Sequence, residues 1–239
     1  MKQLIIIGYI IEFVPLLFCI YFRNKINTKY LKVFFLFLTF LALFSTLIIT
    51  NRYQFKSPKL HYSIINLYSI LECTFFTLFF YYLYKSNTAK KIILIFSIPL
   101  VSFYIFNYFT NEKFNVQSLF VQFSFFTVVI LYYFLEKLNN ITTYSFFKSI
   151  SFWLCIGLFF YFMGNFTIVI FSKSSTDKVF LNQIQIIYFL VLLIKDSIFS
   201  LAWLGKEPIE TDADIIVIPK GLKIDYDPTY TPTANDTNP

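Results

Sequence analysis

The sequence predicts an all-α integral membrane protein. The expected fold is a seven-transmembrane-helix bundle with the N-terminus outside, the C-terminus cytoplasmic and a short acidic tail. Three observations lead there. Of the 239 residues 57% are hydrophobic and only 14% are charged, too apolar a balance for a soluble domain. Seven runs meet or approach the roughly 20 apolar residues that cross a hydrocarbon core of about 30 Å as a helix. Those runs are continuously apolar, whereas strands of an outer-membrane barrel alternate with period two. A helix also satisfies every backbone polar group within its own segment, as lipid requires.

Span one is about Leu4–Phe22. Lys2 and an apolar centre give it the look of a secretory signal, but Glu12 sits mid-run and no small-residue cleavage site follows. Phe18 directly before Cys19 also fits a lipoprotein cleavage site poorly, so the span is expected to be retained. Span two is about Leu31–Thr50, and span three about Ser63–Tyr84. Span four, about Ile92–Phe109, contains Pro99, a source of a kink. Span five is about Ser118–Leu135 and span six about Ser149–Phe171. Span seven, about Leu181–Leu204, carries Lys195 and Asp196 side by side near its middle. No internal repeat relates spans one to three with spans five to seven.

Two domains follow from composition: the bundle, residues 1–204, and the tail, residues 205–239. The bundle holds 17 Lys and Arg against 6 Asp and Glu, or +11, while the tail holds 3 against 7, or −4. In the tail, Asp214–Ile218 and Leu222–Asp225 flank Pro219-Lys220-Gly221, a hairpin signal over residues 214–225. An isolated two-stranded hairpin is marginal in water, so the competing reading is a flexible end. Residues 226–239 read as disordered.

Orientation comes from short-loop Lys and Arg. The loops after spans one, three, five and seven hold ten, including the cluster Arg23, Lys25, Lys29 and Lys32. The opposite side holds seven, a bias that favours an outside N-terminus and a cytoplasmic C-terminus; the inner membrane is the expected location. Basic residues spread over such loops indicate topology and contact with anionic lipid, not nucleic acid.

Composition also excludes several chemistries. Five glycines argue against Gly-rich phosphate loops. One histidine, His61, removes most His-based catalysis and metal sites, and on its own reads as an outer-loop residue. Cys19, Cys73 and Cys155 lie inside apolar runs without C-x-x-C spacing and read as small core residues. No metalloprotease or hydrolase signature is present, so no enzyme, cofactor or metal is expected.

What remains is the set of polar residues inside the spans. Glu12, Glu72 and the Lys195–Asp196 pair all fall near the midplane by residue count. An intramembrane charge is costly and marks a functional site by default. One lysine against three acids leaves at least one carboxyl to be neutralised by a proton. Asn66, Ser69, Cys73 and Thr77 share a face of span three, with Glu72 flanking it; Asn165 lies beside Gly164 on span six. The candidate cluster is therefore Glu12, Asn66, Glu72, Asn165, Lys195 and Asp196, lined by spans one, three, six and seven, with spans two and four peripheral. The bland alternative is a buried ion pair, Lys195 with Glu72 or Asp196, that only fixes packing. Gly157 and Gly164, seven residues apart, read as a seam for close helix approach. Trp153 and Trp203 read as interface anchors.

Three stretches carry a resemblance: Asn66-Leu67-Tyr68-Ser69-Ile70-Leu71-Glu72, then Phe152-Trp153 through Gly157 to Tyr161-Phe162-Met163-Gly164-Asn165, and Ile194 to Trp203. In these the chain resembles a loosely defined group of small seven-span inner-membrane proteins of Bacteroidota. The resemblance covers most of the bundle, not the tail, and implies a fold without an activity. It is similar at the level of fold alone to membrane sensor regions found beside histidine kinases. The expected function is a sensory or protein-interaction module that meets a cytoplasmic or membrane partner through its tail. The alternative is a small-solute or proton-coupled transporter. A retinal photoreceptor ranks lower, because Val191 stands four residues before Lys195, where those proteins usually carry an acid.

Overall fold

The computed structural model describes residues 7–8, 10–55, 57–110, 116–139, 147–174 and 178–206. The expected hairpin at 214–225 and the residues after it lie outside the described residues. Within them every regular element is a helix and there is no strand. Seven helices follow in order: α1 (Phe13–Tyr21), α2 (Lys29–Thr50), α3 (Pro58–Leu83), α4 (Asn87–Thr110), α5 (Val116–Asn139), α6 (Ile150–Ser174) and α7 (Lys178–Ala202). A 3-10 turn, Arg23–Lys25, precedes α2, and a π-helical turn, Asn51–Phe55, follows it.

Six of the helices, α2 to α7, are long and apolar enough to cross a membrane. The 22 residues of α2 rise about 33 Å, enough for the hydrocarbon core. The distribution of side chains agrees. Leu43, Ile95, Val128 and Leu201 point outward and are each more than half exposed, which water would not tolerate around a whole bundle but lipid does.

Local sequence starts the helices. Ser57 caps α3 by accepting from the Leu60 N–H at 3.3 Å, with Pro58 in the first turn, where its missing N–H costs nothing. Ser86 accepts from the Ala89 N–H at the start of α4, and Ser149 from the Phe152 N–H at the start of α6. The Asn51 side-chain amide donates to the Ser57 carbonyl and its oxygen accepts from the Ser57 N–H, closing the connection from α2 to α3. Despite Pro99, α4 runs as one helix from Asn87 to Thr110.

Packing is carried by aromatics. Without a hydrophobic drive between helices in lipid, close fit decides association. Phe76 of α3 meets Phe162 of α6 edge-on at 5.0 Å, and Phe162 stacks on Phe126 of α5 at 5.3 Å. Phe34 of α2 meets Phe199 of α7 edge-on at 4.9 Å. These rings form a buried layer across five helices. Only 22% of the α4 span is buried, against 33–44% for the other five, so α4 lies at the periphery as expected. Span two does not. Phe34, Phe37, Leu38 and Leu41 of α2 are core residues, because aromatic and aliphatic side chains pack a helix inward as well as charges do.

The glycine seam is a packing device. A Cβ on Gly157 would fall 2.6 Å from the Phe199 ring, and one on Gly164 would fall 2.5 Å from Val191. That order of contacts shows α6 and α7 running antiparallel. At the end where α7 finishes, Lys25 donates to the Trp203 carbonyl at 2.7 Å and to the Gly205 carbonyl at 2.8 Å. A cation there satisfies the last carbonyls and suits the negative end of the helix dipole. The Lys206 N–H donates to the Lys148 carbonyl at the same end. Trp203 itself is fully buried, unlike an interface anchor, and belongs to the hydrophobic core. Trp153 fits the anchor reading: it is partly exposed and donates to the Phe147 carbonyl.

Candidate functional site: a polar chamber above the aromatic layer

Glu72 occupies the middle of α3 and is 2% exposed. Its carboxylate accepts three hydrogen bonds from three helices. Tyr68, one turn earlier on α3, donates at 2.9 Å, and Tyr161 of α6 donates to the same oxygen at 2.5 Å. Gln122 of α5 donates from Nε2 to the other oxygen at 3.0 Å. A carboxylate so held is satisfied by neutral donors without touching a cation.

Glu12 lies directly before α1, where Pro15 withholds the N–H that would bond back to Ile11. Its carboxylate accepts from the Ser45 hydroxyl of α2. Lys195, on α7, pairs with its neighbour Asp196 at 3.1 Å, both nearly fully buried. The ammonium also sits over the Tyr161 ring, 5.2 Å from its centroid. Asn165 is buried and donates to the Tyr161 carbonyl one turn back. Other hydroxyls on these faces satisfy themselves locally: Ser69 donates to the Ile65 carbonyl, Thr77 to Cys73 and Ser200 to Asp196.

Five of the residues singled out in the sequence thus converge. Glu12, Glu72, Asn165 and Lys195 line one cavity of about 410 Å³, and Asp196 backs Lys195 from outside the lining. Asn66 is not among the lining residues and is half-buried at the flank of α3. The cavity reaches from the charged layer to His61, near the start of α3, and to Ile48, near the end of α2. His61 therefore stands on the helix and lines the chamber, where the sequence suggested a loop. In the other direction, one helical turn beyond Glu72, Gln122 and Lys195 lie Phe76, Phe126 and Phe199, all fully buried. The aromatic layer is the floor.

Sequence reasoning missed Ser45, Tyr68, Gln122 and Tyr161 as the partners of the carboxylates. Gln122, fully buried in an otherwise apolar run, was the one with a readable signal. The lining therefore includes α2 and α5 as well as the four spans expected.

Among the described residues no group of three or more His, Cys, Asp and Glu is placed to hold a metal ion. The fold and the chamber define a multi-pass helical membrane protein with a buried polar layer. The chain matches no protein family, no curated protein and no solved structure.

Proposed function

We propose that the protein is a seven-span inner-membrane sensory or interaction module, with its N-terminus outside and its C-terminus in the cytoplasm. It takes up a ligand in the chamber and passes the occupied state to a protein partner at the cytoplasmic end. The observation that carries this reading is the one-ended chamber. It reaches the charged layer from the α3 start and stops at a packed aromatic floor. In this reading α1, with the residues before it, forms the seventh span and supplies Glu12 to the layer. The ten basic residues at the opposite end, among them Lys25 and Lys206, support the orientation.

The layer also suits a switch. Each charge already has an internal partner, and Lys195 lies within Coulombic reach of Glu12 and Glu72 as well as Asp196. A ligand that draws on Glu12 loosens its bond to Ser45 of α2, one that draws on Glu72 loosens α3 from α5 and α6, and either changes the field at Lys195 of α7, the helix that leads into the tail. A differential interaction of this kind is what a population shift requires.

The second reading is a proton-coupled or small-solute carrier, favoured by two carboxylates lining one cavity. Purification in mild detergent followed by mass spectrometry separates the two. A stoichiometric protein partner, lost when residues 207–239 are removed, is the expected result. A bound solute without a partner, together with uptake into proteoliposomes that Glu72→Gln abolishes, favours the carrier.

A further inference from the structure

The chamber wall is unbalanced in charge. Glu12 and Glu72 face it with only hydroxyl and amide donors in direct contact. Among the described residues the one ammonium on the wall, Lys195, is already countered by Asp196, which sits behind it. Two carboxyl groups therefore face the space without a cation in contact, and an entering cation can take the place of the proton that one of them needs.

The same wall is rich in rings. Phe44 comes from α2, Tyr68 from α3, Phe123 from α5, Tyr161 from α6 and Tyr188 from α7. Aromatic faces attract cations, most strongly where water is excluded. Carboxylates beside aromatic faces, in a cavity of about 410 Å³, form the recognition chemistry of an ammonium group rather than of an anion or a hydrocarbon tail. Lys195 shows the preference within the chain itself, since its own ammonium rests over Tyr161.

We propose that the chamber binds a small organic ammonium ion entering from the side of His61, with Glu12 and Glu72 as counter-ions and Phe44, Tyr68 and Tyr188 as the ring wall. This rests on the sensory reading, for which it supplies the ligand class.

The test uses the full chain in lipid nanodiscs. Thermal unfolding is followed with tetramethylammonium, choline, glycine betaine and acetate, each against KCl of equal ionic strength. Tetramethylammonium and choline raise the unfolding temperature saturably, as a ligand of the native state does, and the zwitterion and the anion do so far less. Glu72→Gln weakens choline binding by about tenfold or more, the loss of one contact to a charged group. Glu12→Gln and Tyr188→Leu each weaken it too, and they keep the result readable if Glu72→Gln fails to fold. A shift produced by acetate or betaine alone overturns the proposal, as does a choline shift that survives intact in the Glu12→Gln, Glu72→Gln double variant. Indifference to all four compounds also overturns it, and a protein partner that still co-purifies then leaves the sensory reading standing.

Discussion

Lys195 and Asp196 are neighbours on one helix, and each has the other as its ion-pair partner. Breaking a buried pair from one side leaves an uncompensated charge, whereas replacing both sides with apolar groups is often neutral. Asp196→Asn and Lys195→Met are therefore each expected to destabilise the bundle by about 3–5 kcal/mol, and the double variant Lys195→Met, Asp196→Leu by much less. Unfolding of the four proteins in one detergent measures the coupling; additive losses would show that the two residues act separately. The pair itself was readable in the sequence, as were Glu12 and Glu72, because a charge in an apolar run stands out on cost alone. Their partners were not. Tyr68 and Tyr161 are two of 18 tyrosines, and nothing in a single chain says which of them meets Glu72. Asn66 differs: helical spacing puts it on the polar face of α3, yet it is half-buried and does not line the chamber that Ser69 and Glu72 line.

Helices α6 and α7 depend on small residues at two heights. Gly157→Ala and Gly164→Ala place a methyl within 2.6 Å of Phe199 and 2.5 Å of Val191, so a neighbour must shift, and each is expected to cost about 1–3 kcal/mol. Gly8 is the control, since a Cβ there meets Phe189 at an ordinary 3.4 Å. Gly8→Ala is expected to change stability by no more than about 0.5 kcal/mol. Equal losses at all three positions, read by thermal unfolding, would contradict the seam. Span lengths were legible, because about 20 apolar residues are a physical requirement of the bilayer and six of the runs became helices of that size. Which spans lie inside was less so. A charge count left α2 at the rim, but Phe34 and Phe37 hold it in the core through ring contacts that no periodicity records.

Two expectations belong to the bundle as a whole: which way it faces, and that its chamber opens to one side only. Cys19, Cys73 and Cys155 are all fully buried, so single introduced cysteines can report without removing them. For the orientation, a membrane-impermeant maleimide applied to whole cells is expected to label Gln54→Cys and to leave Asn87→Cys unmodified until the membrane is opened; the reverse pattern would invert the topology. The one-sided opening is tested by the same labelling at Ile65→Cys on the chamber wall. Modification from the outer face alone, slowed by an occupant of the chamber, is the expected result. Modification from the cytoplasmic face, through the layer of Phe76, Phe126 and Phe199, would contradict it and make the chamber a passage.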